Sequence, residues 1–339
     1  MFQPKRVYFE PEALEYPLGR QLYERFKDQS TPIFMIKSHN RVTGIPGKAP
    51  REAYLAAKST LVVGVRRTLD FATCKPSAHY QLPLSTSCTG RCQYCYLNTT
   101  LGKKPYVRVY VNLDEILARA KEYIRQRTPD ITVFEGSATS DPVPVEPYTG
   151  SLAKTILFFS REPLGRFRFV TKFTDLDTLL DLDHRGHTEI RFSINTDYII
   201  KSYEQGTPNL PARIRAAGQV ARAGYPLGFL IAPIFHYHRW QEDYAHLLRV
   251  LKEELGPAAP GALTFELISH RFTAAAKKRI LEVFPDTTLP LEEENRKFKF
   301  GQFGYGKYVY PPAVMEEIKS FFHREIEHHF PRAKIAYLV

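Results

Sequence analysis

The chain reads as α/β with a parallel sheet, and three observations carry that reading. From His79 onward, apolar runs of strand length alternate with longer stretches of helical period, the pattern of strands joined by crossover helices. Six or seven such units fit before Phe284, too few to close an eight-stranded barrel. The expectation is therefore an open, partial (β/α)6 TIM-type barrel. Beyond it, aromatic, basic and glycine residues alternate over Phe298–Tyr310, which predicts a hairpin. The predicted organisation is an N-terminal α/β extension over 1–78, the barrel core over 79–284, and a C-terminal hairpin and helix over 285–339.

In the extension, the helix Pro17–Lys27 starts on a proline, whose missing N–H costs nothing in a first turn. A strand (Pro32–Ser38), a short helix (Arg51–Lys58) and a strand (Ser59–Val65) follow. In the core, strand His79–Leu84 runs into a cysteine-bearing loop. Strand Tyr106–Val111 precedes helix Leu113–Arg127, and strand Ile131–Glu135 precedes helix Ser151–Arg161. Strand Arg166–Lys172 precedes a short helix at Asp175–Asp181. Strand Glu189–Ile194 leads to helix Pro211–Ala223, which Gly224 ends. Strand Leu227–Ile234 leads to helix Arg239–Leu255, and strand Leu263–Ile268 to helix Thr273–Phe284. Pro285–Glu294 reads as a linker. Helix Ala313–His329 and strand Lys334–Leu338 close the chain.

Composition narrows the function classes. Apolar residues make up 43% of 339, enough for a sizeable core. No run approaches the roughly 20 apolar residues of a membrane span, and the N-terminus lacks the apolar segment of a secretory signal. Four cysteines without a pairing framework suit a reducing, cytoplasmic compartment and no membrane partner. The net charge of +11 favours a polyanionic partner.

Three of the four cysteines fall in Cys88-Thr-Gly-Arg-Cys92-Gln-Tyr-Cys95, a C-x3-C-x2-C spacing. Three thiolates on one loop can hold three corners of a 4Fe–4S cluster and leave one iron open. Two other readings stay open on the residues alone. Zinc takes four ligands, with Cys74 or His79 as the fourth. Three thiols can also pack as small hydrophobes without metal.

The spacing, with an aromatic after it, resembles the radical S-adenosylmethionine superfamily. Together with Glu135-Gly-Ser-Ala-Thr-Ser-Asp-Pro and the aromatic-basic tail, it resembles the spore photoproduct lyase family over nearly the whole chain. The resemblance implies S-adenosylmethionine on the open iron of a 4Fe–4S cluster held by Cys88, Cys92 and Cys95. It also implies a 5′-deoxyadenosyl radical and the reversal of a thymine–thymine lesion in DNA to two thymines. It further implies an electron donor such as flavodoxin or ferredoxin, and a place in the spore core. Tyr94 and Tyr96 are implied as hydrogen relays. Ser137 and Ser140, after Gly136, are expected contacts to S-adenosylmethionine, since glycine lets a ligand approach the backbone. Lys172 is expected at its carboxylate, Ser193 and Asn195 at its ribose, and Ala232 beside adenine. The family has a hydrogen-donor cysteine where this chain has Ala138, so clean turnover is expected to suffer. Arg296, Tyr305 and Lys307 are the expected DNA contacts, cations on phosphate and an aromatic in the base stack. Rival readings are radical chemistry on RNA or a small molecule, and a zinc-stabilised nucleic-acid binder without catalysis.

Overall fold

Strands rich in Val, Ile and Phe frame two units of the chain in the computed structural model, which describes residues 2–37, 42–258, 263–300, 304 and 306–339. The first unit comprises Met1–Gly90, Thr100–Phe169 and Asp175–Thr188. The second comprises Arg91–Thr99, Val170–Thr174 and Glu189–Val339.

The first unit holds a five-stranded sheet in the order Ile33–Met35, Arg6–Phe9, Thr60–Gly64, Val107–Tyr110, Ser85–Thr86. The first four strands run parallel and Ser85–Thr86 runs antiparallel. Every residue of Thr60–Gly64 is buried, which is why that strand is written as a continuous apolar run. Leu22 and Phe26, from helix Pro17–Asp28, close the core against Val7, Phe9, Leu61, Val63 and Val109. In the same unit Thr73–Cys74 pairs antiparallel with Ala78–Leu82. Thr132–Gly136 and then Gly165–Thr171 continue parallel to it. Gly136 is required here, because a Cβ would lie 2.6 Å from the Phe167 ring.

In the second unit Thr188–Ile194, Leu227–Ile234, Thr264–Ser269 and Lys334–Leu338 lie side by side and parallel. Helix Leu210–Arg222 begins at Asn209, whose side chain accepts the Ala212 N–H, and Gly224 follows it at φ +79°. Lys297–Phe300 and Gly306–Val309 form the expected antiparallel hairpin. Among the described residues no helix is long and apolar enough to cross a membrane.

Two expectations need correction, and two elements are new. The strand expected at Tyr106–Val111 forms at Val107–Tyr110, but it joins the five-stranded sheet, between Thr60–Gly64 and Ser85–Thr86, and not the sheet that holds Ala78–Leu82. It is buried on both faces, so its pattern cannot say which sheet it joins. Six parallel strands remain in the run that starts at His79 among the described residues, three in each unit. The linker expected at Pro285–Glu294 is packed: Leu289 and Leu291 are buried with Phe235 and Phe272. Helix Asp197–Tyr203, capped by the Thr196 hydroxyl on the Ile199 N–H, and strand Arg6–Phe9 had not been expected.

Candidate functional site

The cysteine loop is held differently at its two ends. Within the first unit, the Cys88 thiol accepts the Gly90 N–H at 3.2 Å, and its carbonyl accepts the Lys58 ammonium at 2.8 Å. Within the second, Arg91–Cys92 pairs antiparallel with Glu204–Gln205. The Gln93 N–H donates to the Tyr203 carbonyl at 2.9 Å, and Asn98 donates to the Cys92 carbonyl at 3.1 Å. None of the four cysteines is disulfide-bonded. Among the described residues no three His, Cys, Asp or Glu side chains are gathered as around a single metal ion. A cubane cluster asks for less convergence than zinc does, because each thiolate binds a different iron. Lys58 adds a chemical sign: it is buried, and among the described residues it has no carboxylate partner. An anionic cluster would match its charge. Donor set and buried cation fit the group.

After Thr132–Gly136 the chain turns sharply, with Ser137 at φ +54°. Ser137 Oγ accepts the Ser85 N–H at 3.0 Å, and the Ser140 hydroxyl shares a hydrogen with that of Ser85 at 2.6 Å. These two serines thus brace the turn on which the half-exposed Ala138 sits.

In the second unit Tyr94, Lys172, Glu204 and Arg213 form one network, with Glu204 and Arg213 buried and Tyr94 and Lys172 half-buried. The Tyr94 phenol donates to Glu204 Oε1. Lys172 Nζ donates to the same carboxylate oxygen at 2.9 Å and to the Tyr94 oxygen at 3.1 Å. Arg213 donates to Glu204 Oε2 at 2.6 Å and to the Ser193 carbonyl at 3.0 Å. Burial alone would raise the Glu204 pKa, but Lys172 and Arg213, with the Tyr94 hydrogen bond, bring it down to about 2. Burial, then the Glu204 charge, pushes the Tyr94 phenol well above its ordinary value, so it stays protonated. Tyr96, in contrast, is 57% exposed. Asn195 is engaged internally: its oxygen accepts Tyr244 OH at 2.8 Å and the Thr196 N–H, and its nitrogen donates to the Pro233 carbonyl. Ala232 is half-buried in strand Leu227–Ile234. Glu204 and Arg213 were missed by sequence reasoning. Lone charges far apart in the chain carry no spacing signal.

On the hairpin, Lys299 faces Lys307 directly across the strands, and Phe298 and Phe300 are exposed. Burial, then Arg271 and Lys299, lowers the Lys307 pKa. Arg296 behaves as an anchor: it donates to the His270 carbonyl at 2.8 Å and its guanidinium lies 3.7 Å from the Tyr310 ring centroid. Tyr305 lies outside the described residues.

Comparison with known proteins settles the family. The family model described as spore photoproduct lyase matches residues 2–339. The spore photoproduct lyase of Clostridium acetobutylicum is 52% identical, over 99% of this chain and 98% of that one. The spore photoproduct lyase of Bacillus subtilis is 49% identical with the same coverage. A solved spore photoproduct lyase complexed with dinucleoside spore photoproduct matches at TM-score 0.97 and 51% identity, over 100% of this chain and 99% of that one. A mutant of the enzyme with bound AdoMet and dinucleoside spore photoproduct matches equally well. The fold class read from the alternation, α/β with an open partial barrel, is that of these structures. Fold and motif together define a radical S-adenosylmethionine lyase. The chain belongs to the spore photoproduct lyase family. The non-catalytic zinc reading falls with that membership.

Proposed function

We propose that this chain repairs spore photoproduct in DNA, with S-adenosylmethionine and a 4Fe–4S cluster on Cys88, Cys92 and Cys95. The whole-chain identity of about half to enzymes of that name is the observation that carries the reading. Cys88, Cys92 and Cys95 would hold the cluster, which with S-adenosylmethionine and an external electron would supply the radical chemistry that opens the lesion. The chain's own residues bind, orient and return hydrogen. Lys172, held by Glu204 at 2.9 Å, meets the carboxylate of S-adenosylmethionine. Ser137 and Ser140 shape the turn that approaches it, and Ser193, Asn195 and Ala232 flank its nucleoside. Tyr94 and Tyr96 relay hydrogen, and Ala138 stands where a donor thiol would. Damaged DNA meets the tail 285–339. The Lys299–Lys307 pair supports this, since two cations set face to face favour a phosphate beside them. Tyr305 is the base-stack contact, and Arg296 seats the hairpin. The core over 79–284 carries the chemistry and 1–78 supports it. A flavodoxin- or ferredoxin-type protein supplies the electron, in the cytoplasm of the spore core. The test is anaerobic reconstitution followed by incubation with dinucleoside spore photoproduct, dithionite and S-adenosylmethionine. About four irons per chain, the count of one cubane, and 5′-deoxyadenosine with loss of lesion are expected. A colourless chain that leaves the lesion intact sinks the reading.

A further inference from the structure

We propose that Lys58 is the counter-charge of the cluster, and that its ammonium makes the cluster easier to reduce. The inference rests on the cluster reading above. Lys58 ends helix Pro50–Lys58 and is 4% exposed. Its Nζ donates to the Cys88 carbonyl at 2.8 Å and lies 5.6 Å from the Tyr54 ring centroid. Both partners are neutral. The other four buried cations among the described residues are all matched: Arg108 by Glu10, Arg191 by Glu266, Arg213 by Glu204 and Arg279 by Glu282. The carbonyls at a helix C-terminus carry only a partial negative charge, so they ease a full ammonium without balancing it. A buried charge is costly unless something opposite in sign lies near.

The loop that starts at Cys88 supplies that opposite sign once it carries a cluster. A dicationic iron–sulfur core with three thiolates is a monoanion. Its one-electron reduction adds one negative charge and moves no proton. A fixed cation beside it therefore stabilises the reduced form more than the oxidised form, and the midpoint potential rises. The hydrogen bond to the Cys88 carbonyl needs only a donor. The potential needs the charge. Two substitutions separate these roles, since Lys58→Gln keeps a donor without charge and Lys58→Arg keeps the charge.

The test is anaerobic reconstitution of parent, Lys58→Gln and Lys58→Arg. Iron and sulfide assays follow, then a dithionite titration monitored by electron paramagnetic resonance. The midpoint is expected to move to more negative potential in Lys58→Gln and to stay near the parent in Lys58→Arg. Loss of iron uptake in Lys58→Gln alone also supports charge matching, expressed at assembly. An unchanged midpoint in Lys58→Gln overturns the proposal. So does an equal shift, or equal loss of iron, in Lys58→Arg, because shape and not charge would then be responsible. A parent chain that takes up no iron sinks the cluster reading and this inference with it.

Discussion

Glu204 has no exposed side-chain surface, yet it accepts from a phenol and pairs with two cations. Removing its charge leaves Lys172 and Arg213 without their shared anion, and stranding a buried ion typically costs about 3–5 kcal/mol. Glu204→Gln is therefore expected to lower unfolding stability by roughly that amount, read as a fall in the urea midpoint. A loss below about 1 kcal/mol, the scale of an exposed pair, shows that the network adds nothing beyond a surface contact. Ala138 calls for a different measurement. A methyl C–H bond is too strong to give its hydrogen to a stabilised carbon radical, whereas a thiol S–H bond is weak enough. The parent is expected to open dinucleoside spore photoproduct but to return adducts with solvent or reductant beside thymine. Ala138→Cys is expected to give clean thymine. Identical products from both would remove Ala138 from the donor position, leaving Tyr96 or Tyr94 to supply the hydrogen.

At the scale of elements, the C-terminal hairpin has the clearest test. Each phosphate contact contributes about 0.9 to the slope of log affinity against log salt on duplex DNA. Lys307→Ala is expected to flatten that slope by roughly 0.9, measured by titrating a lesion-bearing duplex at several salt concentrations. An unchanged slope moves the DNA face off the hairpin. The hairpin was legible in sequence because aromatic and basic residues alternate with glycine at its turn. Strands Leu227–Ile234 and Lys334–Leu338 were legible to the residue, since each is an apolar run bounded by turn residues. Val107–Tyr110 was legible as a strand, but its sheet was not. Four buried residues record burial and leave the partner unspecified. The site divides in the same way. Cys88, Cys92 and Cys95 announce themselves by spacing. Lys58, Glu204 and Arg213 reach the loop or Tyr94 only through folding, and local pattern holds no trace of that.

At the scale of the whole molecule, three buried titratable groups pull stability in opposite directions with pH. Burial, then Arg296, drives the His270 pKa from 6.5 to about 3. Between those values the unfolded chain binds a proton that the folded chain refuses, so His270 lowers stability as pH falls through that window. Glu204 is depressed from 4.5 to about 2, so its contribution is complete above pH 4.5 and is lost as pH falls toward 2. Glu146 behaves oppositely. Burial raises its pKa from 4.5 to about 7, against the pull of the Leu152 and Ala153 N–H groups, so the folded chain holds a proton that the unfolded chain releases. Stability therefore declines through Glu146 as pH rises across that interval. Each group changes stability by at most about 1.4 kcal/mol per pH unit. From pH 4.5 to 6.5 His270 and Glu146 cancel. Below 4.5 His270 and Glu204 act together, and the loss with falling pH steepens to about twice that of a single group. The urea midpoint of the parent is thus expected to be nearly level over the first interval and to fall sharply beneath it. His270→Gln removes one side of the balance and exposes the other: its midpoint is expected to decrease as pH rises from 4.5 to 7, opposite to ordinary acid denaturation. A His270→Gln midpoint that stays level across that range would show that Glu146 does not hold its proton in the folded chain.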